Sequence, residues 1–134
     1  MVEDSKADLF LIRQAISAAQ VNAAVTVVND GHQATEFIDQ ADAGGGALCP
    51  DLVLLDLNLP KKDGIEVLRH IRNSAACGNA LVLVVSSSDS ASDREAVKAL
   101  GFSGYFRKPS VYAEFMKLGP MVRELLAGAT GGEV

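Results

Sequence analysis

Two unbroken apolar runs mark the middle of the chain, and stretches with helical apolar spacing surround them. Residues 52–55 read Leu-Val-Leu-Leu between Asp51 and Asp56, and residues 80–85 read Ala-Leu-Val-Leu-Val-Val before a run of serines. Runs of this length and composition are strands buried on both faces, the form of central strands in a parallel sheet. Residues 23–28 and 103–107 are less uniformly apolar and partly β-branched or aromatic, and read as two further strands.

Helical spacing fills the intervals. Leu9, Ile12, Ile16 and Ala19 form one apolar face, with Ser5 as a cap and Asp8 three residues on as a weak capping box. Asn29-Asp30-Gly31 reads as a turn, followed by a helix on Ala34, Phe37, Ile38 and Ala41. Gly44, Gly45 and Gly46 end that helix and open a flexible loop that Pro50 closes. Ile65, Leu68 and Ile71 mark a third helix after a loop carrying Pro60. Ser90 or Ser92 caps a fourth on Ala96, Val97 and Leu100, which Gly101 stops. Phe115, Leu118, Val122 and Leu125 give the last apolar face. Gly119-Pro120 interrupts it, because proline removes a helical hydrogen bond and clashes with the carbonyl four residues earlier, so the helix must kink or restart.

Alternating strands and helices imply an α/β domain with a parallel sheet covered on both faces. The expected organisation is a single domain over residues 1–127 and a flexible tail over residues 128–134. Only Met1 and Val2 precede Glu3, so the first strand reads as truncated: either residues upstream complete it, which is the favoured reading, or another segment fills the gap, or its neighbours face costly unpaired backbone groups and the domain is unstable.

Composition narrows the functional classes. The 134 residues carry a net charge of -5, with 12 scattered basic residues, which disfavours binding to nucleic acid backbones. No apolar run approaches the ~18 residues of a membrane span, and the acidic start is no signal peptide; a cytoplasmic location follows. Cys49 and Cys77 have no metal-ligand spacing and read as reduced thiols.

Ligands of such sheets sit beyond the carboxyl ends of the strands. There the chain places Glu3 and Asp4, Asp56, Ser86 and Lys108. Three carboxylates repel one another unless a cation joins them, and a hard divalent ion with oxygen ligands, Mg²⁺, fits. Together with Lys108 it would neutralise a phosphoryl group in transfer, and an aspartate is a competent nucleophile for that group. Taken singly, each residue has a plainer reading: helix-start acids for Glu3 and Asp4, a solvated capping loop for Ser86, a surface lysine for Lys108, packing for Tyr105.

Four segments, in order, resemble the receiver family of two-component signalling, the CheY-like response regulators. They are residues 2–5 (Val-Glu-Asp-Ser), 54–64 (Leu-Leu-Asp-Leu-Asn-Leu-Pro-Lys-Lys-Asp-Gly), 84–87 (Val-Val-Ser-Ser) and 100–109 (Leu-Gly-Phe-Ser-Gly-Tyr-Phe-Arg-Lys-Pro). The resemblance implies a flavodoxin-like, doubly wound, five-stranded parallel sheet of order 2-1-3-4-5, here with its first strand truncated. It implies that Asp56 accepts a phosphoryl group from a sensor histidine kinase or phosphotransfer protein. Asp4, Asp56 and the Asn58 main-chain carbonyl would hold Mg²⁺, with Glu3 acting through water, and Lys108 would bond the phosphoryl oxygens. A cis Lys108–Pro109 peptide is expected to aim that lysine inward. Ser86 and Tyr105 would be the switch residues, reshaping the face of the fourth helix, fifth strand and fifth helix, through which a homodimer is plausible. Ser87 leaves room for the phosphoryl group, while Asn58 and Ser88 flank the water path and offer no general base, which implies slow hydrolysis. The opening residues and the Asp-Leu-Asn-Leu-Pro signature further resemble stand-alone receivers that partner bacterial phytochrome kinases.

Competing readings are weaker. An aspartate-nucleophile phosphatase would carry a second carboxylate where Asn58 stands, so an enzyme acting on external substrates is not expected. A flavin or nucleotide carrier would need a phosphate-cradling loop where Glu3 and Asp4 stand. A phosphorylation-independent interaction module on the same fold is the main alternative.

Overall fold

The computed structural model describes residues 1–44 and 49–131. Three parallel strands form the sheet, β1 (Leu52–Leu55), β2 (Leu81–Ser86) and β3 (Gly104–Arg107), in the order β1-β2-β3. Leu52 pairs with Leu81 and Ser86 with Arg107, so β1 and β2 start level and β2 and β3 end level. Six helices accompany them among the described residues: α1 (Lys6–Ala18), α2 (Gly31–Asp42), α3 (Gly64–Arg72), α4 (Ala91–Leu100), α5 (Tyr112–Phe115) and α6 (Leu118–Gly131).

The two strands expected ahead of β1 are reduced to single bridges. Val2 bridges Val28 on one side and Leu55 on the other, both parallel. The backbone path is therefore the expected 2-1-3-4-5 order, with regular pairing only in its last three members. Val2 N–H donates to the Leu54 carbonyl at 2.8 Å and Asp56 N–H donates to the Val2 carbonyl at 3.1 Å, fixing the register of the acidic pair that follows.

Two apolar layers sandwich the sheet, as parallel strands buried on both faces require. Ile38, Val67, Leu68, Ile71 and Val97 of α2, α3 and α4 pack on one face around Leu55, Val82 and Val84. Ile12, Ala15, Phe115, Leu118 and Val122 of α1, α5 and α6 pack on the other around Leu54, Leu83 and Val85.

The helix boundaries follow their caps. Ser5, Asp30, Asp63 and Ser90 each accept from the backbone N–H three residues on, starting α1, α2, α3 and α4. Asn29-Asp30-Gly31 is thus a helix start rather than a free turn. Gly101, at φ 83°, stops α4. The last apolar face is split, as Gly119-Pro120 required. The break falls at Met116 and Lys117, and Pro120 becomes the third residue of α6, where no intrahelical N–H partner is lost. A Cβ on Gly119 would collide with the Ala15 carbonyl, so this glycine sets how closely α6 approaches α1. Helical backbone continues to Gly131, into the stretch expected to be a flexible tail. The expected glycine loop at Gly45 and Gly46, and the tail beyond residue 131, lie outside the described residues.

Two expectations are overturned. Cys49 and Cys77 are not free thiols but a disulfide, with Cα atoms 5.4 Å apart. The reason is the parallel register: Cys49 precedes Leu52 and Cys77 precedes Leu81, and those two residues are partners. The bridge therefore clasps the entrances of β1 and β2, at the edge of the sheet opposite Asp56. The Lys108–Pro109 peptide is trans, since the described residues contain no cis bond. Lys108 is instead aimed by the ladder, its N–H donating to the Ser86 carbonyl at 2.9 Å.

Candidate functional site

Asp56 follows the last residue of β1, Ser86 is the last residue of β2, and Lys108 follows the last residue of β3. The carboxyl ends of the parallel strands bring them to one rim. Glu3 reaches the same rim because its N–H donates to the Val28 carbonyl at 3.1 Å immediately after the Val2 bridges. Gly64 seats α3 against this edge: its N–H donates to the Leu57 carbonyl, and a Cβ there would strike the Asp56 carbonyl.

The centre of the rim is the Lys108 ammonium. It donates to Glu3 Oε1 at 2.7 Å, Asp8 Oδ2 at 2.8 Å and Asp56 Oδ2 at 3.0 Å. Three protons meet three carboxylates, so its donors are all used. The Lys108, Glu3 and Asp56 side chains are 10%, 2% and 7% exposed, which makes these charge-assisted bonds in a largely dry setting. Burial alone would lower the lysine's proton affinity. The bonds to Asp8 and Glu3 and the field of Asp56 outweigh it and hold the ammonium above its ordinary range. Burial pushes Glu3 up to about 7; the hydrogen bond from Lys108 pulls against that rise and the Asp56 charge adds to it.

Glu3, Asp4 and Asp56 each offer one oxygen, all within 4.8 Å of one another. Asp4 is exposed while Glu3 and Asp56 are buried, giving a shallow three-carboxylate pocket open to solvent. Clustered carboxylate oxygens with room for water suit a small hard dication such as Mg²⁺. Asp56 Oδ1 accepts from the Asn58 N–H at 3.1 Å, which fixes the carboxylate and starts the following loop.

The serine loop is tied down by its own hydroxyls. Ser86 is fully buried, and its Oγ accepts from the Ser88 N–H at 3.2 Å. Ser88 Oγ donates to Asp93 at 2.6 Å, and the Ser88 carbonyl accepts from the Tyr105 hydroxyl at 2.9 Å. The Arg94 guanidinium lies 4.2 Å from the centre of the Tyr105 ring, a cation–π contact. Ser87 and Asn58 are exposed. Glu3, Asp4, Asp56, Ser86 and Lys108 thus lie at the rim and Asn58, Ser87 and Ser88 in the loops beside it, while Tyr105 lies within β3 and only its hydroxyl reaches the serine loop.

Two participants escaped the sequence reading. Asp8 was visible only as a capping-box residue, although its place in the first turn after the acidic pair aims it at the same rim. Arg94 gave no signal, since its contact depends on how α4 lies beside β3.

The chain is similar to known proteins over most of its length. The family described as "Response regulator receiver domain" matches residues 1–118. Response regulator Rcp1 of Synechocystis is 33% identical over 118 residues, covering 88% of this chain and 80% of that protein. Among solved structures, the phosphorylated cyanobacterial phytochrome response regulator RcpA has a TM-score of 0.83 at 35% identity, covering 93% of this chain and 89% of that one. The Mn²⁺-bound form of Rcp1 has a TM-score of 0.81 at 32% identity, covering 92% and 88%.

Proposed function

The chain belongs to the response regulator receiver domains of two-component systems, and from that premise we propose that it is a phosphoryl-accepting switch with Asp56 as the acceptor. The observation that carries this reading is Lys108 Nζ held 3.0 Å from Asp56 Oδ2, beside the oxygens of Glu3 and Asp4. An Asp56 oxygen attacks phosphorus, the bond from phosphorus to a histidine nitrogen of the donor breaks, and Lys108 neutralises charge on the phosphoryl oxygens. A divalent ion, Mg²⁺ by the chemistry of its ligands, would be held by Asp4, Asp56 and the Asn58 carbonyl, with Glu3 through water, and would supply charge neutralisation. A relative solved with Mn²⁺ and another solved in phosphorylated form support both parts.

The signal leaves through Ser86 and Tyr105. Ser86 Oγ exchanges its bond with the Ser88 N–H for one to the phosphoryl group, and the Tyr105 ring turns inward. This biases a two-state equilibrium of the face formed by α4, β3 and the α5–α6 segment. That face is the proposed surface for a homodimer. Ser87 leaves room for the phosphoryl group. Asn58 and Ser88 offer no general base to water, so the phosphoryl group is long-lived. The donor is a cytoplasmic sensor histidine kinase or phosphotransfer protein, of the phytochrome type by likeness to RcpA. Nucleic acid and membrane are not partners in this reading, and no turnover of an external substrate is assigned. Among the described residues no helix is long and apolar enough to cross a membrane.

The test is Mg²⁺-dependent phosphorylation by acetyl phosphate, read by intact mass. One added phosphoryl group, absent in Asp56→Asn, is expected. No modification of the folded protein would move the assignment to a phosphorylation-independent interaction module.

A further inference from the structure

Of the three carboxylates that hold Lys108, two are also wanted by a dication. Glu3 and Asp56 belong with Asp4 to the group whose oxygens converge within 4.8 Å, and Asp8 does not. The oxygens of Glu3 and Asp56 are already committed. Glu3 Oε1 takes Lys108 and Oε2 takes the Ser5 N–H at 3.2 Å; Asp56 Oδ2 takes Lys108 and Oδ1 takes the Asn58 N–H. An ammonium and a dication cannot share these oxygens without strong like-charge repulsion. Lys108 must therefore loosen its hold on Glu3 and Asp56 as a cation binds, and a buried ammonium without a partner is costly.

We propose that Asp8 is a positioning residue that retains the Lys108 ammonium at the rim when a divalent cation engages Asp56 directly and Glu3 through water. Its place is prepared by the start of α1. Ser5 Oγ accepts from the Asp8 N–H at 3.2 Å, which pins the backbone, and the carboxylate points from the first turn to Nζ at 2.8 Å. The side chain is 28% exposed, far less dry than Glu3, so it can hold the lysine without blocking the cation's own ligands. A plainer role exists, since an acidic residue in the first turn is favoured by the helix dipole. That role does not involve Lys108, and this separates the two.

The inference rests on the cation site of the proposed function, and the experiment keeps their failures apart. Mg²⁺ affinity is measured by titration calorimetry for the wild type, Asp8→Asn, Lys108→Met and the double variant. Asp8→Asn is expected to weaken Mg²⁺ about fivefold in the wild type, and by a factor at least about threefold smaller beside Lys108→Met. An equal factor in both backgrounds overturns the inference, because Asp8 then acts only through its charge on the cation. No effect of Asp8→Asn in either background overturns it too. No Mg²⁺ binding by the folded wild type overturns the cation site and the inference with it. Asp8→Ser is carried in parallel, with circular dichroism, so that misfolding of one variant leaves the comparison intact.

Discussion

Lys108 and Glu3 lie 105 residues apart in the chain, and their side chains meet at 2.7 Å beside Asp56. The contact joins the last strand to the acidic pair at the start, and so holds together the two ends of the rim. Lys108→Met leaves Glu3 and Asp56 buried beside one another with no cation between them. In metal-free buffer it is expected to lower stability by about 2 kcal/mol in urea unfolding, toward the low end for a broken buried pair because the rim is partly wet. Saturating Mg²⁺ should recover more stability in the variant than in the wild type. Unchanged urea midpoints would show that the lysine does not hold the rim together.

Glu3 makes the rim sensitive to pH. Its folded-state value of about 7 lies above the ordinary 4.5, so between these values the native state binds more protons than the unfolded state. Stability then falls as pH rises from 4.5 to 7, by an amount on the order of 1–3 kcal/mol. Urea unfolding in EDTA at steps across that window should show the slope in the wild type and lose it in Glu3→Gln. A carboxyl carbon resonance for Glu3 that titrates near 4.5 would refute the assignment.

The disulfide acts at the other edge of the sheet. Cys49 and Cys77 close a loop of 28 residues that contains β1 and α3. By the entropy of an unfolded chain cross-linked at that spacing, the bond contributes about 3–4 kcal/mol. Dithiothreitol, or the Cys49→Ser and Cys77→Ser pair, should lower the urea midpoint accordingly. Equal midpoints with and without reductant would exclude this contribution.

A cavity of about 650 Å³ lies beside Met1 and Val2, lined by Met1, Val21, Val25, Phe37, Ile38 and Leu54 among others. Its lining includes Asn22 to Thr26, Val28 and Leu52 to Leu54, from the segments on either side of Val2. Fusing several β-branched residues ahead of Met1 should extend both parallel ladders and bury apolar surface. A gain of more than about 1 kcal/mol in urea unfolding is expected, and a proline-containing extension of equal length should give none. Equal stabilities of the two fusions would mean that the slot does not accept a strand.

Much of this was legible in the sequence because the signals are local. An unbroken apolar run ending in Asp56 states both a buried strand and a carboxylate at its mouth. Ser5 and Ser90 announce helix starts through hydrogen bonds that span only three residues. Gly119 and Pro120 declare a break in the last helix because proline's missing N–H is a property of the residue itself. The position of that break, at Met116 and Lys117, was not legible, since it depends on α6 packing closely on α1 at Gly119.

What the sequence determined by itself is the alternation of elements, the parallel sheet, and the set Glu3, Asp4, Asp56, Ser86 and Lys108 at its strand ends. These follow from periodicity and residue chemistry, which need no knowledge of distant neighbours. The tertiary structure alone decided that Asp8 joins Lys108, that Arg94 covers Tyr105, that Cys49 meets Cys77, and that the strand expected over residues 23–28 is reduced to a bridge at Val28. Each depends on the register and packing of segments far apart in the chain, and short-range propensity carries no information about those distances.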